Sequence, residues 1–174
     1  MVVANFAKDE EGCFLGHTPH RVTHSMHHTF SELWREVAGD AIHSATNFPN
    51  QYRSLEACSV PFAAGGKANT AGLTLVSGET KIIACPFRAE WLDGTSAAAK
   101  AGDAAAHAKD FVPTTRTWSN STFVSGATAS GKTPAEAAAM SDEMFSRYEA
   151  RVAADPSQHA MDYVHSYLHV AKGE

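Results

Sequence analysis

The sequence predicts an α+β fold: a small sheet of about three to five strands, mainly antiparallel with one helical crossover, packed by about three to four helices in a single domain over residues 1–174. Three observations lead there. Apolar residues recur at spacings of three and four along two long stretches, β-branched and aromatic residues cluster in short runs between them, and Pro and Gly punctuate the joins. With 174 residues, 44% of them apolar, the chain supports one substantial core. No segment repeats at a fixed period, which excludes solenoids and propellers.

The elements follow in order. Thr18-Pro19 is a good helix entry, and Val22, Met26, Phe30, Leu33, Val37 and Ala41 form one stripe, which predicts a helix over 19–45. A start at Ser31, itself a capable cap, is the alternative, and Asn47-Phe48-Pro49-Asn50 ends the helix either way. From Gln51 to Thr70 the pattern is weak, with room for a short strand within Tyr52–Val60. Leu73–Ser77 and Lys81–Phe87 are β-branched and apolar runs joined through Gly78-Glu79, which predicts a tight hairpin. Ser96 caps an Ala-rich helix reaching about Asp110, and the Thr-rich segment Thr115–Ser125 predicts a strand. Thr133-Pro134-Ala135-Glu136 combines a capping box with Pro at the first helical position, which predicts a helix through Ala154. Asp155-Pro156-Ser157-Gln158 then opens a last helix, with Met161, Val164, Leu168 and Ala171 facing inward.

Composition excludes several functions. Lys plus Arg number 14 against 19 for Asp plus Glu, a formal charge of -5, so no basic field exists to hold nucleic acid. No apolar run approaches a membrane span and no signal-peptide pattern opens the chain, so a cytoplasmic protein without a membrane partner is expected. Cys13, Cys58 and Cys85 are too few and too scattered for a disulfide framework or a zinc finger.

Histidine carries most of the functional signal. Of 10, those at 17, 20, 24, 27, 28 and 43 form one block and those at 159, 165 and 169 another. On a helix, His20, His24 and His28 stand one turn apart, the separation at which two imidazoles share one metal ion. Asp162, His165 and His169 lie at i, i+3 and i+7, which on a helix gathers a carboxylate and two imidazoles on one face. That set is either a metal half-site or an Asp162–His165 pair for acid–base catalysis. The expected cofactor is zinc, iron or haem, and the expected protein is a homodimer using these histidines in a metal- or haem-assisted or acid–base reaction on a small molecule. The alternative is a non-catalytic small-molecule-binding or interaction domain with solvent-exposed histidines. Neither H-E-x-x-H nor a nucleophile motif of the G-x-S-x-G kind is present.

A third reading comes from Gly126 to Thr133, which fits G-x-x-x-x-G-K-[ST] and resembles a P-loop nucleotide-binding motif. That resemblance implies backbone N–H groups cradling phosphates, Lys132 on the outer phosphates and Thr133 on magnesium. Only 41 residues follow Thr133, and they offer no later strand ending in a magnesium-binding Asp. Glu90-Trp91 and Arg116-Thr117-Trp118 are where the wall of a small apolar pocket would be sought, although aromatic residues at helix and strand spacing are more often core.

Overall fold

The computed structural model describes residues 1–14, 26–48 and 51–173. In chain order the elements are β1 (Val2–Lys8), α1 (Met26–Ala45), β2 (Arg53–Ser54), α2 (Leu55–Ser59), α3 (Lys67–Thr70), β3 (Leu73–Ile83), α4 (Pro86–Leu92), α5 (Ala97–Ala101), α6 (Ala104–Ala129), α7 (Pro134–Ala154) and β4 (Tyr163–Lys172). Single 3₁₀ turns occupy Val60–Phe62 and Pro156–Gln158. The architecture is α+β. Contacts group the chain into two compact units, one drawn from the described parts of residues 1–20, 51–85 and 162–174, the other from those of 21–50 and 86–161. No helix among the described residues is long and apolar enough to cross a membrane.

The first unit is a sheet in the order β2-β1-β4-β3, with β1 and β2 parallel and the other neighbours antiparallel. Val3, Leu73, Leu75, Leu168 and Val170 on its inner face pack on Leu55 and Cys58 of α2 and on Phe62. The predicted hairpin is instead one continuous strand: Leu73–Ile83 runs along β4 from Lys172 to Tyr163, with a bulge at Val76. Gly78 is therefore not a turn residue. It lies inside the ladder, where an added Cβ would stand 3.0 Å from Leu55 Cδ1 and 3.2 Å from Leu168 Cδ2. A small residue is required there by close packing rather than by backbone conformation.

The predicted last helix is also a strand. Pro156 opens only a 3₁₀ turn, and from Tyr163 to Val170 the side chains alternate, with Val164, Ser166, Leu168 and Val170 buried. Strands on both sides satisfy its backbone, and the run Tyr-Val-His-Ser-Tyr-Leu-His-Val has the two-residue period and the β-branched and aromatic content of a strand. One of those partners, β1, was not foreseen.

The second unit is helical. α1 is already in place at Met26, which rules out a start at Ser31; the earlier part of the predicted helix, with Val22, lies outside the described residues. Ser96 caps α5 as expected, but Gly102 in the left-handed conformation (φ 63°) ends it and Asp103 starts a new helix, α6. The predicted strand Thr115–Ser125 is the middle of α6. Thr115, Thr117 and Ser119 turn their hydroxyls back onto the carbonyls of Val112, Pro113 and Thr115 at 2.8, 2.9 and 2.7 Å, so these β-formers satisfy themselves within a helix. Phe111, Thr115, Ser119 and Phe123 are all buried at intervals of four, a helical stripe hidden in a Thr-rich segment.

α7 begins where the capping box predicts: the Glu136 N–H donates to Thr133 Oγ1 (3.3 Å) and the Thr133 N–H donates to Glu136 Oε2 (2.8 Å). Phe30 and Trp34 of α1, Phe111 and Phe123 of α6, and Phe145 and Tyr148 of α7 are buried together, most pairs edge-on or tilted with ring centroids 5.0–6.3 Å apart. That geometry adds an electrostatic preference to the area these rings remove from water.

Candidate functional site

Among the described residues, the histidines divide into those in the helical unit and those on the sheet. His20 and His24 lie outside the described residues. His28 approaches Glu32 at 3.2 Å on the surface of α1. Ser31 Oγ lies 2.7 Å from His43 Nε2, and His159 packs edge-on against Tyr148 at 5.5 Å. His107 is 3% exposed, packed against Trp91 at 5.1 Å and near Phe111, and burial holds its pKa below the usual imidazole value. The side chains of His28, His43, His107 and His159 make packing, hydrogen-bonding or ion-pair contacts within the helical unit.

Asp162, His165 and His169 do not share a helical face. Asp162 is buried and accepts the Cys85 backbone N–H at 2.6 Å, so its carboxylate anchors the end of β3 rather than orienting the His165 ring. His165 and His169 are on one face of β4, but four residues of strand separate their backbones by about 13 Å, too far for one ion. Among the described residues no group of three or more His, Cys, Asp or Glu side chains is arranged to hold a metal.

The Gly126–Thr133 segment is not a phosphate cradle. Gly126 to Ala129 are the last turn of α6, and the N–H groups of Ser130, Gly131 and Lys132 donate to the carbonyls of Gly126, Thr128 and Ala127. The Thr133 N–H is taken by Glu136. No free row of donors remains for a phosphate. Gly126 has a packing role instead: an added Cβ would stand 2.2 Å from Thr46 Oγ1. That oxygen accepts the Trp34 indole N–H at 2.8 Å and its hydroxyl donates to the Ile42 carbonyl at 2.8 Å. The expected pocket walls are likewise helical packing: Trp91 on His107, Arg116 over the Phe145 ring and paired with Asp142, and the Trp118 N–H on Met161 Sδ at 3.4 Å.

What β4 does bring together is a face of rings. Strand alternation puts Tyr163, His165, Tyr167 and His169 on the side of the sheet opposite the buried cluster. Register then sets rows across three strands: Val2, His169 and Ser77; Ala4, Tyr167 and Glu79; Phe6, His165 and Lys81. Phe6 is 49% exposed, stacked on Tyr163 at 5.5 Å and edge-on to His165 at 5.1 Å. His165 in turn lies 5.8 Å from the Tyr163 ring and 5.9 Å from that of Tyr167, whose hydroxyl is 3.3 Å from His165 Nδ1. Lys81 Nζ sits 5.7 Å from the Tyr167 ring centroid and 2.9 Å from Glu79. Partial burial, reinforced by the neighbouring Cys85, raises the Tyr163 pKa and keeps that hydroxyl protonated. Beside this cluster a depression of about 490 Å³ is lined by Val2, Ser77, Gly78, Glu79, Tyr167 and His169.

Of the residues on this face, sequence reasoning singles out His165 and His169 and passes over Phe6, Tyr163, Tyr167 and Lys81. The signal was the alternation Tyr163-x-His165-x-Tyr167-x-His169, which a helical wheel disperses and a strand aligns. No protein-family model matches the chain, and no curated protein is significantly similar to it.

Proposed function

We propose that the protein binds a planar aromatic small molecule carrying a negative charge on the outward face of its sheet, without itself transforming it. The observation that supports this reading is the continuous contact chain of Phe6, Tyr163, His165 and Tyr167, with ring centroids 5.1–5.9 Å apart, in which Phe6 is exposed and the other three are half-buried. Partly exposed aromatic rings offer π-faces for stacking, and Lys81, His165 and His169 are donors suited to a carboxylate or phosphate. Glu79 stands among them with its charge balanced by Lys81.

A second reading, acid–base catalysis, draws on the His165 Nδ1 to Tyr167 Oη contact of 3.3 Å, which would let the phenol orient the imidazole in place of Asp162. A metal or haem at this face would have to use one strand histidine at a time. Elemental analysis and a visible absorption spectrum of tag-free protein, compared with His165→Ala, test that directly.

The binding reading is tested by thermal shift against a panel of aromatic carboxylates, together with ATP and magnesium, at about millimolar concentration. The expected result is that an aromatic acid raises the melting temperature of the wild type and that Phe6→Ala and His165→Ala each remove the rise. A panel without effect, or a rise that survives both substitutions, overturns it. A response to ATP that Lys132→Ala abolishes would revive the phosphate-loop reading.

A further inference from the structure

β3 is the edge of the sheet: it pairs with β4 on one side, and no other strand among the described residues lies on the other. It runs eleven residues, and Val76, Ile82 and Ile83 along it are 57%, 42% and 40% exposed. A long apolar edge with an unpaired row of backbone donors and acceptors is a template for another strand, and proteins ordinarily blunt such edges. Here the bulge at Val76 interrupts the strand at one end and Ile83 closes it at the other, leaving residues 77–83 as the regular segment, with Thr80 at its centre.

We propose that two copies of the chain pair through β3, antiparallel, about a two-fold axis at Thr80, joining their sheets into one. The residue pattern is self-complementary in that register. Thr80 meets its own copy, a favourable cross-strand pair. Glu79 of each copy faces Lys81 of the other, on the outward face that also carries Tyr167 and His165. On the inner face Ile82 falls opposite Gly78, and on the outer face Ile83 falls opposite Ser77, so each exposed isoleucine meets one of the smallest side chains of the strand. Slipping the pairing by two residues sets Glu79 against Glu79 or Lys81 against Lys81, so like charges exclude the neighbouring registers. Lys81, the edge charge that discourages indiscriminate pairing, is accepted only where the partner supplies a carboxylate, and the two-fold closes the assembly at a dimer. This pairing does not depend on the proposed ligand face.

The test is sedimentation equilibrium of the full chain and of three variants. The wild type is expected to move from one chain mass toward two as its concentration rises through the micromolar range. Glu79→Lys and Lys81→Glu each place like charges opposite one another across the axis and weaken the dimer at least tenfold. The double variant Glu79→Lys with Lys81→Glu restores opposite charges and recovers the wild-type constant to within a few-fold, and so does an equimolar mixture of the two single variants, in which the pair is broken inside each chain and restored only across the axis. A wild type that stays at one chain mass, or a dimer that Glu79→Lys leaves untouched, overturns the proposal. Should the variants misfold, amide exchange of the wild type decides: protection of residues 77–83 that grows with concentration supports the pairing, and protection independent of concentration refutes it.

Discussion

The helical unit and the sheet unit use the same side chains to different ends. In the first, Phe30, Trp34, Phe111, Phe123, Phe145 and Tyr148 close on one another, and even a histidine, His107, is packed out of water among rings. In the second, Leu168, Val170 and Cys58 make a small buried cluster, while Phe6, Tyr163, Tyr167, His165 and His169 stand on the opposite side of the strands. Rings in the helical unit are consumed by folding. Those on the sheet face are held in place by the ladder without being needed to complete a core, and that leaves them available for a ligand.

Truncating a ring should cost far more in the helical unit than on the sheet face. Trp34→Ala removes a fully buried indole and leaves Thr46 Oγ1 without its donor, so denaturant unfolding should show a loss of about 3–5 kcal/mol. Gly126→Ala should cost less, about 1–3 kcal/mol, by driving a methyl into Thr46; a neutral result would show that α1 and α6 can part locally.

Acid should separate the units by a smaller amount. The buried His107 ring has its pKa lowered by burial, partly offset by Asp110 and Glu90, and its Nε2 has no hydrogen-bond partner among the described residues. The unfolded chain therefore takes up this proton first. The contribution of a neutral His107 is complete above the unfolded pKa of about 6.5 and declines as pH falls from there toward the lower folded value, with a slope of at most about 1.4 kcal/mol per pH unit. Burial lowers the pKa of His27, His43 and His159 as well, and all of them belong to the helical unit. Stability measured between pH 7 and pH 5 should fall in the wild type and fall less steeply in His107→Phe.

Thr133→Ala removes the cap of α7 and should cost about 1 kcal/mol in thermal unfolding while leaving any response to ATP unchanged. The smallest effect is expected at Phe6→Ala, under about 1 kcal/mol, because half of that ring already faces water. A loss as large as that of Trp34→Ala would show that the sheet face is covered and would remove the basis for the ligand proposal.

Legibility in the sequence followed locality. Ser96 and Thr133 were readable as caps because an N-cap depends only on the next three residues. Gly78 reads as a turn and Gly126 matches a phosphate-loop pattern because the reason for each glycine is a side chain distant in sequence, Leu168 for one and Thr46 for the other. Thr115–Ser125 was misread because Thr propensity favours strands on average, whereas burial of Phe111, Thr115, Ser119 and Phe123 at intervals of four prevailed over it. His165 and His169 were recognised by residue type, but their neighbours were not, since a period of two and a period of 3.6 group different residues.

The α+β class, the cap of α7, the excess of acidic over basic residues and the concentration of histidine and tyrosine near the end of the chain are all legible in the sequence alone. Tertiary structure decided that 163–172 is a strand and that Gly78 runs straight through a ladder. It also decided that His165 shares a surface with Phe6 and Lys81 rather than with Asp162. The physical reason is that a strand draws its hydrogen bonds from neighbours remote in the chain, so its period, and with it the face each side chain joins, is settled only when those neighbours arrive.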